Sequence, residues 1–309
     1  FWLAHAILIK KTLEVNRGNS MEQKSLSKEK INLLVTLDQG YIPQLIVLLT
    51  SIRINHPDGC FDLYLLHQSL NEEQLAPAAA CCQKAGILFH PIRVDETLFE
   101  NAPTNSRYPK EMYYRLLAPF LLPSHLEKVL YLDPDILVIN PLYALWETDL
   151  SDHLFAAAAH TGKTELSNNV NRIRLKTDHD YYNSGVLLMN LKKGRDMIRR
   201  EEIFAFVAEH GSELFLPDQD VLNALYGSKV LALDDAIWNY DARNYRNYLL
   251  RSGGVRDMKW VMQQTSILHF CGRAKPWKHG YKYRFGLLYQ HYVQLTKRFL
   301  PDHKECISL

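Results

Sequence analysis

The sequence contains no apolar run long enough to cross a lipid bilayer. A membrane-spanning helix needs about 20 predominantly apolar residues, whereas the apolar stretch at the N-terminus covers only Phe1–Ile9. That stretch also lacks the basic region that precedes the apolar part of a secretory signal. The chain begins with Phe1, and Met21 is a plausible natural start. We therefore expect residues 1–20 to be upstream or added sequence, and residues 1–30 to be a disordered segment outside the fold.

The sequence also has few cysteines and a small net charge. The formal net charge is +2, whereas nucleic-acid-binding domains usually carry a clear basic excess, so we predict no nucleic-acid partner. The five cysteines are an odd number, and none forms a C-x-x-C pair. Their spacing predicts neither a disulfide framework nor a zinc site. A reducing compartment, the cytoplasm, is the simplest environment for this pattern.

Strand-like and helix-like segments alternate from Ile31 onward. Ile31–Leu37 is a continuous apolar run, as expected for a strand buried on both faces. Phe61–His67 and Ile87–Val94 are predicted as the second and third strands. Helical spacing lies between these runs, with Asn71 as a plausible N-cap. This alternation predicts an α/β fold with a mostly parallel sheet flanked by helices and a ligand site at the carboxyl ends of the strands.

The same patterns continue toward the C-terminus. Further strands are predicted at 128–132, 136–139, 155–159, 185–191 and 266–270, and helices at 111–122, 195–210, 217–226 and 285–299. No internal repeat or low-complexity linker separates these segments. We therefore expect one main domain over residues 31–277, followed by a C-terminal helical extension over 278–309.

Two carboxylates flank a proline between two apolar runs, in Asp133-Pro134-Asp135. A bend at Pro134 can aim both carboxylates at one ion. Two hard oxygen ligands suit Mg²⁺ or Mn²⁺ bridging a diphosphate, rather than Zn²⁺. Asp-Pro-Asp is also good turn chemistry. Taken alone, the segment is better explained as a turn, because short motifs often recur by chance.

Another polar group follows the predicted late strand, in HFCGRAKPW (269–277). A lone histidine is more often a core residue. Here, however, Gly272 permits close approach of the backbone to a ligand, Lys275 supplies a positive charge for phosphate, and Trp277 would cover the site. His269 is compatible with Mn²⁺ as a third ligand.

Two further segments carry hydrogen-bonding side chains. Asp218 and Gln219 follow Pro217 at a predicted helix start, where capping explains Asp218 well and Gln219 poorly. Asn183 precedes an apolar strand, where an ordinary loop is the alternative. Sugar hydroxyls need paired hydrogen-bond donors and acceptors. A nucleotide diphosphate that bears a sugar would therefore suit all of these groups together.

These segments resemble the retaining glycosyltransferases of family 8, which have the Rossmann-like GT-A fold and include bacterial lipopolysaccharide galactosyl- and glucosyltransferases and glycogenin. The similarity runs from about Ile31 to Trp277 and implies a catalytic domain over 31–277. It rests on the order and spacing of VTLDQGY (35–41), YYRLLAPFLLP (113–123), VLYLDPDILV (129–138), YYNSGVLLMNLKK (181–193) with LPDQDVLN (216–223), and HFCGRAKPW (269–277).

The resemblance implies a metal site and a site for a nucleotide sugar. Asp133, Asp135 and His269 would bind Mn²⁺, with Mg²⁺ as the alternative, and through it the diphosphate of a UDP-sugar. Gly272 and Lys275 would bind the β-phosphate.

The resemblance also implies contacts to the rest of the donor. Thr36 and Asp38 would hold the uridine, and Arg115 would reach the phosphate or the sugar. The donor sugar would be lined by Asn183, Asp218 and Gln219. Gln219 would lie near the anomeric carbon, so the implied catalytic residues are Gln219, Asp218 and Lys275.

One departure from the family pattern concerns His160. The better-studied galactosyltransferases have a sugar-contacting Asp after an AAAA-like strand, where this chain has His160-Thr161-Gly162. The donor sugar, galactose or glucose, therefore stays open. The acceptor, a glycan or glycolipid, would be contacted by loops near 101–109, 160–178 and 243–258.

The C-terminal segment is strongly basic. Residues 273–304 hold eight Lys and Arg and one acid, mixed with aromatic and aliphatic residues as in a segment that lies on a membrane surface. We expect a cytoplasmic enzyme that contacts the inner face of the membrane through this helix. An ordinary packed terminal helix is the alternative.

Two other functions fit part of the pattern. A sugar nucleotidyltransferase would also need a metal and a phosphate site, but a Gly-rich basic loop would be expected after the first strand. LDQGY (37–41) has one Gly and no Lys or Arg. A binding protein with an inactive site is the third possibility, against which the complete Asp133, Asp135, His269 and Lys275 set argues. We predict transfer with retention, by attack of the acceptor from the face that UDP leaves.

Overall fold

A seven-stranded sheet forms the centre of the computed structural model, which describes residues 29–104, 110–160, 165–303 and 305–307. Its strand order is β3-β2-β1-β4-β7-β6-β8, and β5, β10 and β9 form a small second sheet. The strands are β1 (Ile31–Thr36), β2 (Phe61–His67), β3 (Ile87–Arg93), β4 (Lys128–Leu132), β5 (Ile136–Val138), β6 (Phe155–Ala158), β7 (Val186–Asn190), β8 (Val230–Leu233), β9 (Tyr240–Asp241) and β10 (Ile267–His269).

The large sheet is mostly parallel, as predicted. Strands β3, β2, β1 and β4 run parallel to one another, and β6 and β8 also pair in parallel. Strand β7 is antiparallel to both of its neighbours, β4 and β6. This reversal places the start of β7 beside the end of β4, where the Asp133–Asp135 segment begins.

Helices cover both faces of the sheet. They are α1 (Ile42–Asn55), α2 (Glu72–Ala85), α3 (Glu111–Leu116), α4 (Ala118–Leu121), α5 (Tyr143–Trp146), α6 (Glu165–Leu175), α7 (Leu191–Met197), α8 (Arg200–His210), α9 (Pro217–Val221), α10 (Asp235–Trp238), α11 (Tyr245–Arg251), α12 (Met258–Gln264) and α13 (Gly286–Phe299). A π-helical turn over Leu222–Tyr226 continues α9. No helix in the described part of the chain combines the length and apolarity that a membrane crossing requires.

The buried residues of β1 belong to both sides of the core. Leu33 and Val35 pack in one hydrophobic cluster with residues of α1, α2 and α13. Leu34 packs in the other cluster with residues of α3, α4 and α8. Burial of each aliphatic side chain stabilises the fold by about 1.5–3 kcal/mol. Because β1 is buried on both faces, apolar residues are favoured at successive positions, which explains the apolar run.

Some predicted helices were confirmed and others were wrong in extent. Asn71 caps α2, because its side chain accepts from the Gln74 backbone while Gln74 bonds back to the Asn71 backbone. The helix predicted over 111–122 is two short helices that are separated at Leu117. The helix predicted over 195–210 is likewise interrupted, since buried Ile198 is extended between α7 and α8.

The C-terminal helix α13 was predicted and is present. Its buried face includes Tyr289, Tyr292 and Val293, and Asn55 of α1 donates a hydrogen bond to the Tyr292 hydroxyl at 3.0 Å. On the opposite face, Leu287 is 82% exposed. The described residues from Ile31 onward belong to one compact unit. The division at residues 277 and 278 and the membrane contact of this helix stay predictions.

Candidate active site

A cavity of about 550 Å³ opens at the carboxyl ends of β1 and β4. Six of the predicted site residues line it, namely Thr36, Asp38, Arg115, Asp133, Asp135 and Asp218, together with Leu37, Tyr41, Glu111 and Pro134. This position agrees with the rule that ligands of open α/β sheets bind outside the carboxyl ends of the strands.

The Asp133–Asp135 segment is a turn that also gathers carboxylates. Pro134 and Asp135 form a turn between β4 and β5. The turn is held on both sides, since Asp133 N donates to Gly185 O at 2.8 Å and Phe270 N donates to Asp135 O at 3.0 Å. The turn and metal-site interpretations are therefore compatible, because the same bend aims both side chains at His269.

Asp133, Asp135 and His269 form a group of candidate metal ligands. Their ligand atoms all lie within 4.8 Å of one another. His269 Nε2 is 3.2 Å from Asp135 Oδ1 and 3.7 Å from Asp133 Oδ2. The antiparallel pairing of β10 with β5 sets His269 opposite Ile136, and so beside the turn. Two carboxylates and one imidazole fit Mn²⁺ or Mg²⁺ by their donor chemistry.

A chain of hydrogen bonds determines which nitrogen of His269 faces the carboxylates. The backbone N–H of Gly185 donates to Asn183 Oδ1 at 3.0 Å, so Asn239 Nδ2 is the donor in its 2.9 Å bond to the same oxygen. Asn239 Oδ1 must then accept from His269 Nδ1, at 2.9 Å. Nε2 faces the carboxylates and would bind a metal once its proton leaves, while Nδ1 stays held by Asn239, as in histidines that bind a metal.

Basic side chains compensate the charge of both carboxylates. Asp133 Oδ1 is 3.1 Å from Arg115 Nη2 and accepts from the Tyr131 hydroxyl at 2.6 Å. Asp135 accepts from Lys275, which also donates to Phe270 O. Burial alone would raise the pKa of Asp135, but His269 and Lys275 hold that pKa below its usual range. Asp135 therefore stays ionised inside the protein.

His269 and Cys271 influence each other strongly. Burial alone would lower the pKa of His269, but Cys271 and Asp135 raise that pKa well above its ordinary value. Burial alone would raise the pKa of the Cys271 thiol, but His269 and His160 bring it below its ordinary value. The site thus holds closely coupled charges even without the substrate charges that it is proposed to bind.

Arg115 joins the carboxylate turn to the segment around Asp218. Its Nη1 lies 3.1 Å from Asp218 Oδ2 and 3.1 Å from Ser184 O, while the Ser184 hydroxyl also donates to Asp218 at 2.9 Å. Next to it, Asn183 Nδ2 donates to the Oε1 of buried Gln219 at 2.9 Å. The resemblance placed three residues in one site, and the structure links them in one hydrogen-bond network: Asn183, Asp218 and Gln219.

Both Asp218 and Asp220 lie in the first turn of α9, but it is Asp220 that bonds backbone N–H groups there. Fully buried Asp220 accepts from the backbone N–H groups of Phe215 and Leu216 at 2.7 and 3.3 Å. It also accepts two bonds from Arg174, at 2.6 and 2.9 Å. Asp218 has no capping bond and faces the cavity, because Arg115 and Ser184 hold its carboxylate there.

This difference predicts opposite effects for two matched substitutions. Asp220→Asn should lower the free energy of unfolding by about 3–5 kcal/mol, because it leaves the Arg174 charge without its buried partner. Asp218→Asn should cost less stability but more activity per folded molecule. Urea unfolding curves and assays normalised to folded protein would measure both effects. Equal losses of stability in the two variants would contradict the assignment.

Gly272 and Lys275 both belong to the loop after β10 and have different neighbours. Gly272 has a φ of +79°, in the region that favours glycine, and a Cβ there would be 2.1 Å from Arg243 Nη1. Arg243 is in turn held by two bonds to Asp241, at 2.7 and 2.9 Å. The Nζ of Lys275 lies 5.7 Å from the centre of the Trp277 ring. Gly272 therefore lets Arg243 lie against the loop. The predicted contacts of Gly272 and Lys275 to phosphate stay predictions.

Thr36 is the last residue of β1 and Asp38 follows two residues later, and both line the cavity. The Thr36 hydroxyl is 3.3 Å from the Tyr131 hydroxyl. Asp38 accepts from Gly40 N at 2.8 Å and so caps a short 3₁₀ turn. The contacts of both residues to uridine stay predictions.

Sequence reasoning missed four residues that organise the site. Tyr131 bonds Asp133, Ser184 bonds Arg115 and Asp218, and Asn239 orients His269. No local pattern marks the functions of these three. Gly185 carried a signal, since it separates Asn-Ser from an apolar strand. Parts of the loops expected to contact the acceptor, 105–109 and 161–164, lie outside the described residues.

Gly185 leaves the space in which the candidate metal ligands meet. A Cβ at this position would lie 2.3 Å from His269 Cε1 and 2.6 Å from Asp133 Oδ2. Gly185→Ala should therefore displace a ligand and weaken Mn²⁺ binding by about 10–100-fold. Isothermal titration would measure the affinity, and a thermal unfolding curve would show whether the variant is folded. A folded variant with unchanged Mn²⁺ affinity would contradict this prediction.

His160 lies beside the candidate ligands. Its Nε2 donates to the backbone oxygen of Asn239 at 2.7 Å, and its ring centre is 6.2 Å from that of His269. The departure noted in the sequence is therefore at the site itself.

The chain is similar to known proteins over most of its length. The family model of glycosyl transferase family 8 matches residues 32–280. General stress protein A of Bacillus subtilis (strain 168) is 28% identical over 242 residues, which are 76% of this chain and 82% of that protein. A lipopolysaccharide 1,2-glucosyltransferase of Escherichia coli (strain K12) is 25% identical over 260 residues, 81% of this chain and 74% of that protein.

A solved structure supports the fold directly. The galactosyltransferase LgtC, crystallised in complex with donor and acceptor sugar analogs, matches with a TM-score of 0.69 and 26% sequence identity. The match covers 85% of this chain and 95% of that chain. The predicted α/β architecture, with its mostly parallel sheet and flanking helices, is confirmed by this similarity and by the strand order.

Proposed function

The chain belongs to glycosyl transferase family 8, and from this premise we propose that it is a retaining hexosyltransferase that uses a UDP-sugar and Mn²⁺. It would move galactose or glucose to a glycan or glycolipid acceptor. One observation carries the proposal: Asp133 and Asp135 line a cavity with Arg115, and the same two carboxylates meet His269, while Lys275 pairs with Asp135. Hard ligands beside two cations are what a metal-bound diphosphate requires.

The donor diphosphate would be held by the turn between β4 and β5, by the end of β10 and by the loop that follows β10. Asp133, Asp135 and His269 would hold the Mn²⁺ ion, which would neutralise part of the phosphate charge and so favour departure of UDP. Lys275 now pairs with Asp135. When Asp135 takes a cation instead, Lys275 is free to donate to the β-phosphate and to stabilise its developing charge.

The donor sugar would lie against the network around Asp218. Asp218 is engaged by Arg115 and Ser184, and Gln219 Oε1 accepts from Asn183. These bonds hold the polar groups in place before substrate arrives, which favours recognition of sugar hydroxyls. A carboxylate that is paired on one oxygen with a guanidinium and a hydroxyl is a poor nucleophile, because both partners stabilise its negative charge.

The proposed route is therefore attack of the acceptor hydroxyl from the face that UDP leaves. Its product keeps the anomeric configuration of the donor, which NMR of the freshly formed glycoside would reveal. Mass spectrometry of a glycosyl group trapped on Asp218 would establish a double displacement and contradict the proposed route.

Three functions are separated by their products. With Mn²⁺ and no acceptor, a glycosyltransferase should slowly release UDP from one member of a panel of UDP-sugars. Release of pyrophosphate from UTP and a sugar phosphate would instead indicate a nucleotidyltransferase. Absence of both, with retained binding of UDP, would indicate a binding protein. The residue pattern of the first loop, with Gly40 and no basic residue in 37–41, argues against the nucleotidyltransferase.

The acceptor is proposed to be a cell-envelope glycan. Support comes from relatives named lipopolysaccharide 1,2-glucosyltransferase and lipopolysaccharide 1,3-galactosyltransferase. Their names differ in the transferred sugar, so galactose and glucose both stay in the proposal. We further propose that the enzyme acts in the cytoplasm and touches the membrane through its basic C-terminal helix. Once UDP release has identified the donor, screening of truncated lipopolysaccharide acceptors would test the proposed acceptor class.

A further inference from the structure

A second group of metal-ligating side chains adjoins the carboxylate turn. His160, His269 and Cys271 each offer a ligand atom, and these atoms lie within 4.8 Å of one another. His269 and Cys271 are only 3% and 8% exposed. The cluster therefore combines a thiol with two imidazoles in a largely buried place, and it shares one member with the Asp133–Asp135 group.

Asn239 determines which nitrogen of each histidine faces the cluster. A backbone oxygen only accepts, so His160 Nε2 must donate in its 2.7 Å bond to Asn239 O, which leaves Nδ1 as the nitrogen that can bind a metal. His269 donates through Nδ1 to Asn239 Oδ1, which leaves Nε2 as its metal-binding nitrogen. Each imidazole thus has one nitrogen held by Asn239, the arrangement typical of metal-bound histidine.

The donor set of this cluster differs in chemistry from the carboxylate site. A thiolate and two imidazole nitrogens are soft and borderline ligands, which favour Zn²⁺ or Cd²⁺, whereas carboxylate oxygens favour Mg²⁺ and Mn²⁺. Three protein ligands also leave one position of a tetrahedral ion open. The side chains would need to draw slightly closer together, because Zn–N and Zn–S bonds are about 2.0 and 2.3 Å.

We propose that His160, His269 and Cys271 form a binding site for a thiophilic divalent cation of the Zn²⁺ class. On binding, any proton held by the Cys271 thiol, by His269 Nε2 or by His160 Nδ1 is released to solvent. The sulfur and the two imidazole nitrogens then bond to the ion. No oxidant or further reactant takes part.

The site would compete with the carboxylate site, because both use Nε2 of His269. That nitrogen has one lone pair and binds one ion at a time. A thiophilic cation would therefore remove the third ligand of the Asp133–Asp135 group and inhibit the transferase. This inhibition rests on the proposed function, whereas the binding itself does not.

Binding is tested with Co²⁺ as a spectroscopic probe for Zn²⁺, using the full chain. We expect a thiolate-to-Co²⁺ charge-transfer band that stoichiometric Zn²⁺ removes. Cys271→Ser should abolish the band and weaken Zn²⁺ binding by about a hundredfold or more, since a whole ligand is lost. The matched control is Cys60→Ser, because Cys60 is free and exposed.

Two further variants separate the overlapping sites. His160→Gln should weaken Zn²⁺ binding and leave Mn²⁺ binding intact, whereas Asp135→Asn should weaken Mn²⁺ binding and keep the Co²⁺ band. The proposal is overturned if Cys271→Ser binds Zn²⁺ as tightly as the parent, or if the band disappears in Cys60→Ser. It is also overturned if Asp135→Asn alone abolishes Zn²⁺ binding, since Zn²⁺ would then occupy the carboxylate site.

Inhibition is measured separately from binding. Added Zn²⁺ should inhibit UDP release competitively with Mn²⁺. When each protein's rates are normalised to its own uninhibited rate, the inhibition constant for Zn²⁺ should be at least tenfold higher in Cys271→Ser than in the parent. If the chain proves inactive with every UDP-sugar, the Co²⁺ spectra still decide the binding proposal. If the parent is active and Zn²⁺ bound at Cys271 does not inhibit it, the competition is refuted.

Discussion

Asp135→Asn is expected to reduce Mn²⁺-dependent release of UDP by about a thousandfold or more. A metal ion contributes several kcal/mol of charge stabilisation in such reactions, and each 1.4 kcal/mol corresponds to about tenfold in rate. The substitution removes the charge that faces both His269 and Lys275. It keeps the size of the side chain, so the turn between β4 and β5 should persist.

Mn²⁺ titration and turnover should be measured on the same preparation of this variant. Its affinity for Mn²⁺ should fall together with its rate, and excess Mn²⁺ should restore part of the activity. Asp152→Asn is the matched control, because Asp152 is exposed in a turn outside the candidate site. Full activity in Asp135→Asn, with the melting temperature unchanged, would refute the metal assignment.

Lys275→Met is expected to separate metal binding from catalysis. The Lys275 ammonium pairs with Asp135, and it must leave this carboxylate before a divalent cation can use it fully. Without the lysine, Mn²⁺ in the absence of nucleotide should bind at least as tightly as in the parent. Turnover should nevertheless fall by about 10²–10³-fold, the usual cost of one donor to developing charge.

For Lys275→Met, the way the loss divides between kcat and KM is as informative as the size of the loss in turnover. Because the phosphate charge grows as UDP leaves, kcat should fall more than KM rises. Lys278→Met provides the control, since Lys278 follows in the same basic segment and its side chain is exposed. Weaker Mn²⁺ binding together with an unchanged kcat would show that Lys275 organises the metal site and does not act on the leaving group.

The extent to which the fold was predictable depends on how local the determining interactions are. The continuous apolar run of β1 predicted a buried strand. In the structure, Leu33 and Val35 belong to the hydrophobic cluster on one face of the sheet and Leu34 to the cluster on the other. Helix 111–122 was predicted as one element because its apolar spacing is regular. It is interrupted at Leu117, just before Pro119, which has no backbone N–H to continue the hydrogen-bond ladder.

The candidate site was predictable in its members and not in its connections. Asp133, Asp135 and His269 were assigned through a resemblance of ordered segments, and they do converge. Local pattern alone does not separate the roles of Asp218 and Asp220, since both are acids in one first turn. The resemblance assigned Asp218 to the site, and the positions of Arg115 and Arg174 show that Asp218 faces the cavity while Asp220 holds the backbone.

By itself, the sequence determined the alternating strands and helices, the buried strand β1 and the membership of a family. These properties follow from local apolar periodicity and from short segments in a set order. Only the tertiary structure decided that Asn239 orients both His160 and His269, and that Cys271 joins them. The reason is physical: these contacts depend on strand register and on packing between distant segments, which residue spacing does not encode.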